Sequence, residues 1–191
     1  MPQRVVSSDR NPVARTAATM LKKKICMVGQ FGVGKTSLVR RFVESMFDER
    51  YHTTVGVKID RKDVSVDGAE MTLMLWDLAG EDDLAPLNVS HLRGASGYIL
   101  VVDGCRAASL IKAAELQKRI AAMLGPLPFV LVVNKADLRE QWEVRGVEIE
   151  QYGWLTFETS AKAGTGVEEM FLALAAKLIR GANGLSRSAE S

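Results

Sequence analysis

With 191 residues, 47% of them apolar and 25% charged, the chain has the composition of one soluble globular domain that can bury a sizeable core. Its formal charge of +2 is uneven: residues 1–24 hold six basic residues and one acid, leaving nineteen basic against twenty-two acidic residues in the rest. A mildly acidic globular part argues against a nucleic-acid surface, and the apolar runs are far too short to span a bilayer. Cys26 and Cys105 fall in or beside apolar runs. They read as reduced core residues of a cytosolic protein, not as a disulfide or a metal site.

In chain order, residues 1–20 are polar, carry Pro2 and Pro12, and show no periodicity. They are expected to form a flexible arm, with neither a signal-peptide core nor the glycine that myristoylation needs. Lys22 to Lys24 open a first strand that becomes apolar at Ile25 to Val28. The stretch GQFGVGKT, Gly29 to Thr36, then fits G-x-x-x-x-G-K-[ST], the phosphate-binding loop. Gly29, Gly32 and Gly34 let the backbone turn tightly and aim N–H groups at a polyphosphate. Lys35 adds a point charge for the β- and γ-phosphates, and Thr36 offers a hydroxyl to Mg²⁺. Leu38, Val39, Phe42, Val43 and Met46 recur at helical spacing, which predicts a helix over 35–46.

Phe47 to Thr54 has no regular pattern and reads as a loop. Val55 to Val66 alternates, Asp67-Gly68 signals a tight hairpin, and Met71 to Trp76 is the return strand, closed by a turn at Asp77 to Gly80. Residues 81–96 read as a loop with a short helix. Tyr98 to Asp103 and Phe129 to Val133 are continuous apolar runs, as in strands covered on both faces. Between them, residues 107–124 are helical. A weak helix is predicted near 142–151 and a short strand over Trp154 to Glu158. Thr165 to Glu168 has the capping-box pattern, Val167, Met170, Phe171, Leu174 and Leu178 form the last core stripe, and Gly181 is expected to end that helix. Trp76 is assigned to the core beneath the sheet and Trp142 to the surface.

These elements predict an α/β domain of P-loop NTPase type: a three-layer sandwich with about six strands, mostly parallel. One antiparallel edge strand comes from the 55–76 hairpin, and helices lie on both faces. The expected division is an arm over 1–20, the domain over 21–180 and a flexible tail over 181–191.

A phosphate loop does not separate ATP from GTP. Asn134-Lys135-Ala136-Asp137 follows the second apolar strand, where ligands of open α/β sheets bind. The Asp137 carboxylate only accepts, which suits the N1–H and N2–H₂ donors of guanine and not adenine. Asn134 can bond the ring edge and tie strands together, and the Lys135 stem can lie on the base. Thr159-Ser160-Ala161-Lys162 follows the next strand, where the Ala161 N–H can donate to guanine O6. Val33, Ser37 and Leu138, inside or beside these motifs, complete the expected contacts with the nucleotide.

Together these motifs resemble a Ras-superfamily small GTPase over roughly residues 21–180. Trp76 to Gly80 (WDLAG), Arg93 to Ala95 (RGA) and Glu158 to Lys162 (ETSAK) read closest to the Rab branch. The resemblance implies that Phe47 packs on guanine and Tyr51 covers the phosphates. It implies that Thr54 coordinates Mg²⁺ and senses the γ-phosphate, that Asp77 holds Mg²⁺ through water, and that the Gly80 N–H meets the γ-phosphate. Lys35, Thr54, Gly80 and Glu81 are then the catalytic set, and Thr36, Thr54 and Asp77 the metal set. The implied cofactors are Mg²⁺ and GTP/GDP. The implied partners are effectors, an exchange factor and an activating protein. A cytoplasmic monomer is expected, with at most weak membrane contact, because GLSRSAES at the end holds no cysteine for a lipid.

Three positions depart from the family pattern. Glu81 stands where glutamine is usual, followed by Asp82 and Asp83; Phe31 replaces a small residue before Gly32; and Glu81 to Ser90 holds no aromatic. Two readings stay open: a GTP-hydrolysing switch, and a GTP-bound interaction module with negligible turnover. A P-loop ATPase or nucleotide kinase would leave Asp137 and the Ser160-Ala161-Lys162 turn without a role.

Overall fold

The structure, a computed structural model, describes residues 21–46, 54–80 and 88–188, and of Val89 and residues 182–188 the backbone alone. Six strands form one sheet: β1 (Leu21–Val28), β2 (Val57–Val66), β3 (Ala69–Leu78), β4 (Gly97–Asp103), β5 (Phe129–Asn134) and β6 (Thr156–Glu158). Their order is β2-β3-β1-β4-β5-β6. Only β2 and β3 run antiparallel; every other pairing is parallel. The helices are α1 (Lys35–Glu44), α2 (Ala107–Leu124), α3 (Gly146–Glu150) and α4 (Val167–Ser188). The expected sandwich, with its single antiparallel edge strand, is what forms.

Both faces of the sheet are covered, which explains the continuous apolar runs. Successive residues of β1 serve opposite cores. Ile25 and Met27 join α1 and α4, while Cys26 and Val28 join α2. β4 and β5 divide in the same way: Ile99, Val101, Val130 and Val132 lie on one side, Leu100, Val102, Leu131 and Val133 on the other. On the α1/α4 face, Phe42 and Phe171 stack at 4.1 Å between ring centroids. Removing such a ring typically costs about 3–5 kcal/mol. At the exposed edge, Asp67 (φ 51°) and Gly68 (φ 77°) both take left-handed conformations, the geometry that a two-residue hairpin requires.

Several boundaries differ from the sequence expectation. α1 stops at Glu44 rather than residue 46, because Ser45 turns left-handed (φ 56°) and returns its N–H to the Arg41 carbonyl. The weak helix near 142–151 shortens to α3, and a 3₁₀ turn over Ala136–Gln141 precedes it. The short helix in 81–96 is a 3₁₀ turn at Val89–Leu92, capped by Asn88 Oδ1 accepting the Ser90 N–H at 3.0 Å. α4 does not open with the Thr165 box. Gly166 (φ 68°) is its first carbonyl acceptor, bonded by the Met170 N–H, and Thr165 instead gives its carbonyl to the Ser160 N–H. A Cβ on residue 166 would strike the Glu158 carbonyl, so only glycine fits there.

α4 also continues past Gly181 to Ser188. A helical glycine costs about 1 kcal/mol relative to alanine, but it ends a helix only by turning left-handed. Gly181 is not among the positive-φ residues. Trp76 is half-buried, with the Lys24 ammonium 3.6 Å from its ring centroid. Cys26 is a free core thiol as expected, but Cys105 is only partly buried. The arm over 1–20 lies outside the described residues. Among the described residues, no helix is long and apolar enough to cross a membrane.

Candidate nucleotide-binding site

The carboxyl ends of β1, β3, β4, β5 and β6 meet at one edge of the sheet. β1 runs into Gly29 to Gly34, where Gly29, Gly32 and Gly34 take φ of 142°, 76° and 101°. A Cβ on Gly29 would collide with the Val101 carbonyl of β4, and one on Gly34 with the Asn134 amide. The loop therefore lies directly on its neighbours. Gly34 caps α1 with no side-chain bond, so the first-turn N–H groups of α1 remain directed out of the helix end, the arrangement that favours an anion. Val33 is fully buried behind the loop, and Ser37 is half-buried in the first turn. Lys35 is 6% exposed and donates to the carbonyls of Gly29 and Gln30, each at 3.0 Å. Burial lowers its pKa to about 8; Asp77 opposes that shift, and Arg106 adds to it.

The metal set assembles from three elements. Thr36 Oγ1 lies 2.6 Å from Thr54 Oγ1 and donates to Asp77 Oδ2 at 2.6 Å, while Thr54 Oγ1 reaches the same carboxylate oxygen at 3.0 Å. Two hydroxyls own two protons, so they cannot fill three contacts. Asp77 is 1% exposed, and its Oδ1 is buried with no hydrogen-bond partner. Burial, more than any other influence, raises the pKa of that carboxyl. A crowded set of hard oxygens with an orphaned carboxylate atom fits Mg²⁺. Gly80 abuts the phosphate loop: a Cβ there would collide with Phe31 Cα. The Phe31 residue is 41% exposed, and its carbonyl accepts from Arg106.

The base-reading end is held by Asn134, 2% exposed. Its Nδ2 donates to the Val33 carbonyl at 3.0 Å, and its Oδ1 accepts from Thr159 Oγ1 and the Ala161 N–H, each at 3.2 Å. One amide thus fastens the phosphate loop to the segment after β6. The Ala161 N–H, expected to serve guanine O6, is engaged there by Asn134. Ser160 Oγ donates to Asp137 Oδ1 at 2.5 Å and orients that carboxylate, which is otherwise exposed. Lys135 takes a left-handed backbone (φ 71°) and donates to Asp103 Oδ2 at 2.7 Å. Leu138 is 37% exposed and closes a tight turn through its N–H to the Lys135 carbonyl. Lys162 is exposed, and its carbonyl accepts from Arg41. The expected contacts of Phe47, Tyr51 and Glu81 lie outside the described residues.

Sequence reasoning missed four supports. Arg41, on α1, donates to the carbonyls of Ala161 at 2.8 Å and Lys162 at 2.5 Å, pinning the segment after β6. Asp103 and Arg106 join the base-reading and phosphate segments. Trp142, expected on the surface, is half-buried: its ring covers Gly104, and its Nε1 donates to the Lys135 carbonyl at 2.9 Å. One signal was available, a charged Asp103 at the carboxyl end of a buried strand on the ligand edge.

Comparison with known proteins identifies the family. The Ras family model matches residues 24–180. The GTP-binding protein yptV2 of Volvox carteri is 37% identical over 158 residues, covering 80% of this chain and 73% of that protein. Rab-4 of Dictyostelium discoideum is 35% identical over 154 residues (78% and 75%), and Rab-21 of Mus musculus 34% over 161 residues (82% and 72%). The chain belongs to the Ras family, close to its Rab branch, and is a GTP-binding small GTPase.

Proposed function

We propose that the chain is a Mg²⁺-dependent GTP switch whose intrinsic hydrolysis is slow, working in the cytoplasm as a monomer through effector and regulator proteins. The observation that carries the site is the convergence of Thr36, Thr54 and Asp77 beside the buried Lys35 ammonium. Lys35 and the loop N–H groups bind the β- and γ-phosphates. Asp137, aligned by Ser160, accepts from guanine N1–H and N2–H₂. Thr36 and Thr54, with Asp77 through water, would hold Mg²⁺, which when bound would neutralise phosphate charge. The Gly80 N–H and Thr54 track the γ-phosphate, so loss of that group frees both segments.

In hydrolysis, water attacks the γ-phosphorus and the bond to the β-phosphate oxygen breaks, giving GDP and phosphate. A glutamine at position 81 would accept from the water and donate to the charged oxygens. Ionised Glu81 accepts but cannot donate, and its negative charge would oppose the charge that develops on the phosphates. Losing one transition-state donor costs about 10²–10³ in rate. Single-turnover hydrolysis of pre-loaded GTP by Glu81→Gln tests this reading. The expected result is a faster rate; a fall with unchanged GTP affinity would make Glu81 a catalytic base instead. No turnover by wild type, with or without cell extract, would favour the interaction-module reading.

A further inference from the structure

Arg106, the residue immediately before α2, has no part in the function proposed above, yet it is bonded to both halves of the site. Its Nε donates to Asp103 Oδ2 at 2.9 Å. One of its terminal nitrogens crosses to the phosphate loop and donates to the Phe31 carbonyl at 3.0 Å, over 75 residues of sequence. Asp103 is 2% exposed, and its Oδ2 also receives the Lys135 ammonium at 2.7 Å. Its Oδ1 accepts the Cys105 N–H at 3.0 Å, and its backbone is held by Ser109 Oγ. One buried oxygen therefore joins a cation of the base-reading segment to a cation that grips the phosphate loop. On the far face of that grip, Gly80 packs against the Phe31 backbone.

The chemistry requires arginine at this place. A planar guanidinium satisfies two acceptors in one fixed geometry, which an ammonium on a flexible stem does not do. Arg106 is about half exposed. Water screens its charge accordingly, and its distinct contribution is geometric. Asp103 with Arg106 and Phe31 forms a tie between strand ends that carry different parts of one ligand.

We propose that Arg106 is a positioning residue that couples guanine binding to phosphate binding, through Asp103 and Lys135 on one side and the Phe31 carbonyl on the other. This rests on the guanine-nucleotide reading of the site. With the tie in place, a base seated against Lys135 finds the loop already set for the β-phosphate. Without it, the two halves bind more independently.

The test uses the full chain, titrated calorimetrically with GMP, GDP and GTP. Arg106→Ala should lose about tenfold in affinity for GDP and GTP, within the usual range of coupling between sites. It should lose less than about threefold for GMP, which lacks the β-phosphate. Arg106→Lys, which keeps the charge but not the fork, should resemble Arg106→Ala more than wild type and serves where the alanine variant folds poorly. In a double-mutant cycle with Lys135→Ala, the losses for GDP should be less than additive. A merely structural role would weaken GMP and GDP by the same factor, with additive losses, and that result overturns the proposal. So does unchanged GDP affinity in both Arg106 variants. Failure of wild type to bind GDP would instead remove the underlying reading of the site.

Discussion

The base-reading end and the metal end of this site are built differently. At the base-reading end, Asn134 makes three hydrogen bonds, Ser160 orients Asp137, and Arg41 fixes the carbonyls of Ala161 and Lys162. The polar groups there are satisfied by the protein itself. At the metal end, three oxygen contacts share two protons. The two buried side-chain atoms without a partner among the described residues, Asp77 Oδ1 and Asp60 Oδ2, lie there or on the adjoining strand β2. Buried polar groups are normally paired, so an orphaned carboxylate oxygen fits the proposed cation site. The segments after β5 and β6 are thus held by the protein's own hydrogen bonds, whereas the oxygen cluster of Thr36, Thr54 and Asp77 is left incompletely paired. On the proposed reading, that contrast suits a switch at one end and a fixed anchor at the other.

Experiments at four places bear on this contrast. The largest effect is expected at the anchor. Asp137→Asn exchanges an acceptor for a donor and should weaken GTP by ~10⁴-fold while improving xanthosine nucleotides, whose O2 accepts where guanine N2 donates. A fluorescent-nucleotide titration reads this, and equal GTP affinity in variant and wild type would break the assignment.

Next comes the switch end. Thr54→Ala should leave GDP affinity within about threefold and abolish the GTP-dependent difference in partner binding, because on the proposed reading the hydroxyl serves metal and γ-phosphate and not the base. Thr36→Asn should bias the protein towards GDP or the empty form. EDTA should speed nucleotide release from wild type; no acceleration would remove Mg²⁺ from the account.

The loop between the two ends is tested by Gly29→Ala. The new Cβ meets backbone, the Val101 carbonyl, at a φ of 142°. Overpacking of this kind costs about 1–3 kcal/mol, or several degrees in melting temperature for a chain of this size. An unchanged melting temperature would show that β1 and β4 can separate at no cost.

The smallest effect concerns the floor that both ends share. Burial pushes the Cys26 thiol up to about 11 from 9, Lys24 opposing. The folded state therefore keeps the proton through a range in which the unfolded chain loses it, so the thiol's contribution to stability falls as pH rises from 9 to 11. The expected loss is on the order of 1–2 kcal/mol. Lys35, lowered to about 8 by burial, raises stability with pH over the same window in both proteins, so denaturant titrations at pH 8 and 10.5 should show the Cys26 loss as a difference in slope between wild type and Cys26→Ala, and an identical pH slope in both would place the thiol nearer to water.

Much of the fold was legible because it is written in local periodicity. β4, β5 and α2 appear within about a residue of the places the apolar pattern gives, and Asp67-Gly68 is the expected turn. The phosphate loop, Asn134 to Asp137 and Thr159 to Lys162 were legible because each is a short run whose spacing the chemistry fixes. The misreadings share one origin: a local signal was given more weight than its surroundings. Gly181 read as a stop, yet it lacks the left-handed conformation that ends a helix. Thr165 read as a cap, but its carbonyl is taken by Ser160 and the helix opens one residue later. Trp142 read as surface, although its ring covers Gly104.

The sequence alone thus determined the order of strands and helices along the chain and the positions of the motifs at one edge of the sheet. These depend on residues a few positions apart, and their physics is that of turns, periodicity and donor–acceptor pattern. Tertiary structure alone decided how those groups are held. Arg41 reaches Ala161 across 120 residues, Asn134 reaches Val33 across 101, and Arg106 reaches Phe31 across 75. No local pattern specifies such bonds. They exist because a parallel sheet brings the carboxyl ends of β1, β4, β5 and β6 to one edge, where polar groups from distant parts of the chain come within hydrogen-bond reach of one another.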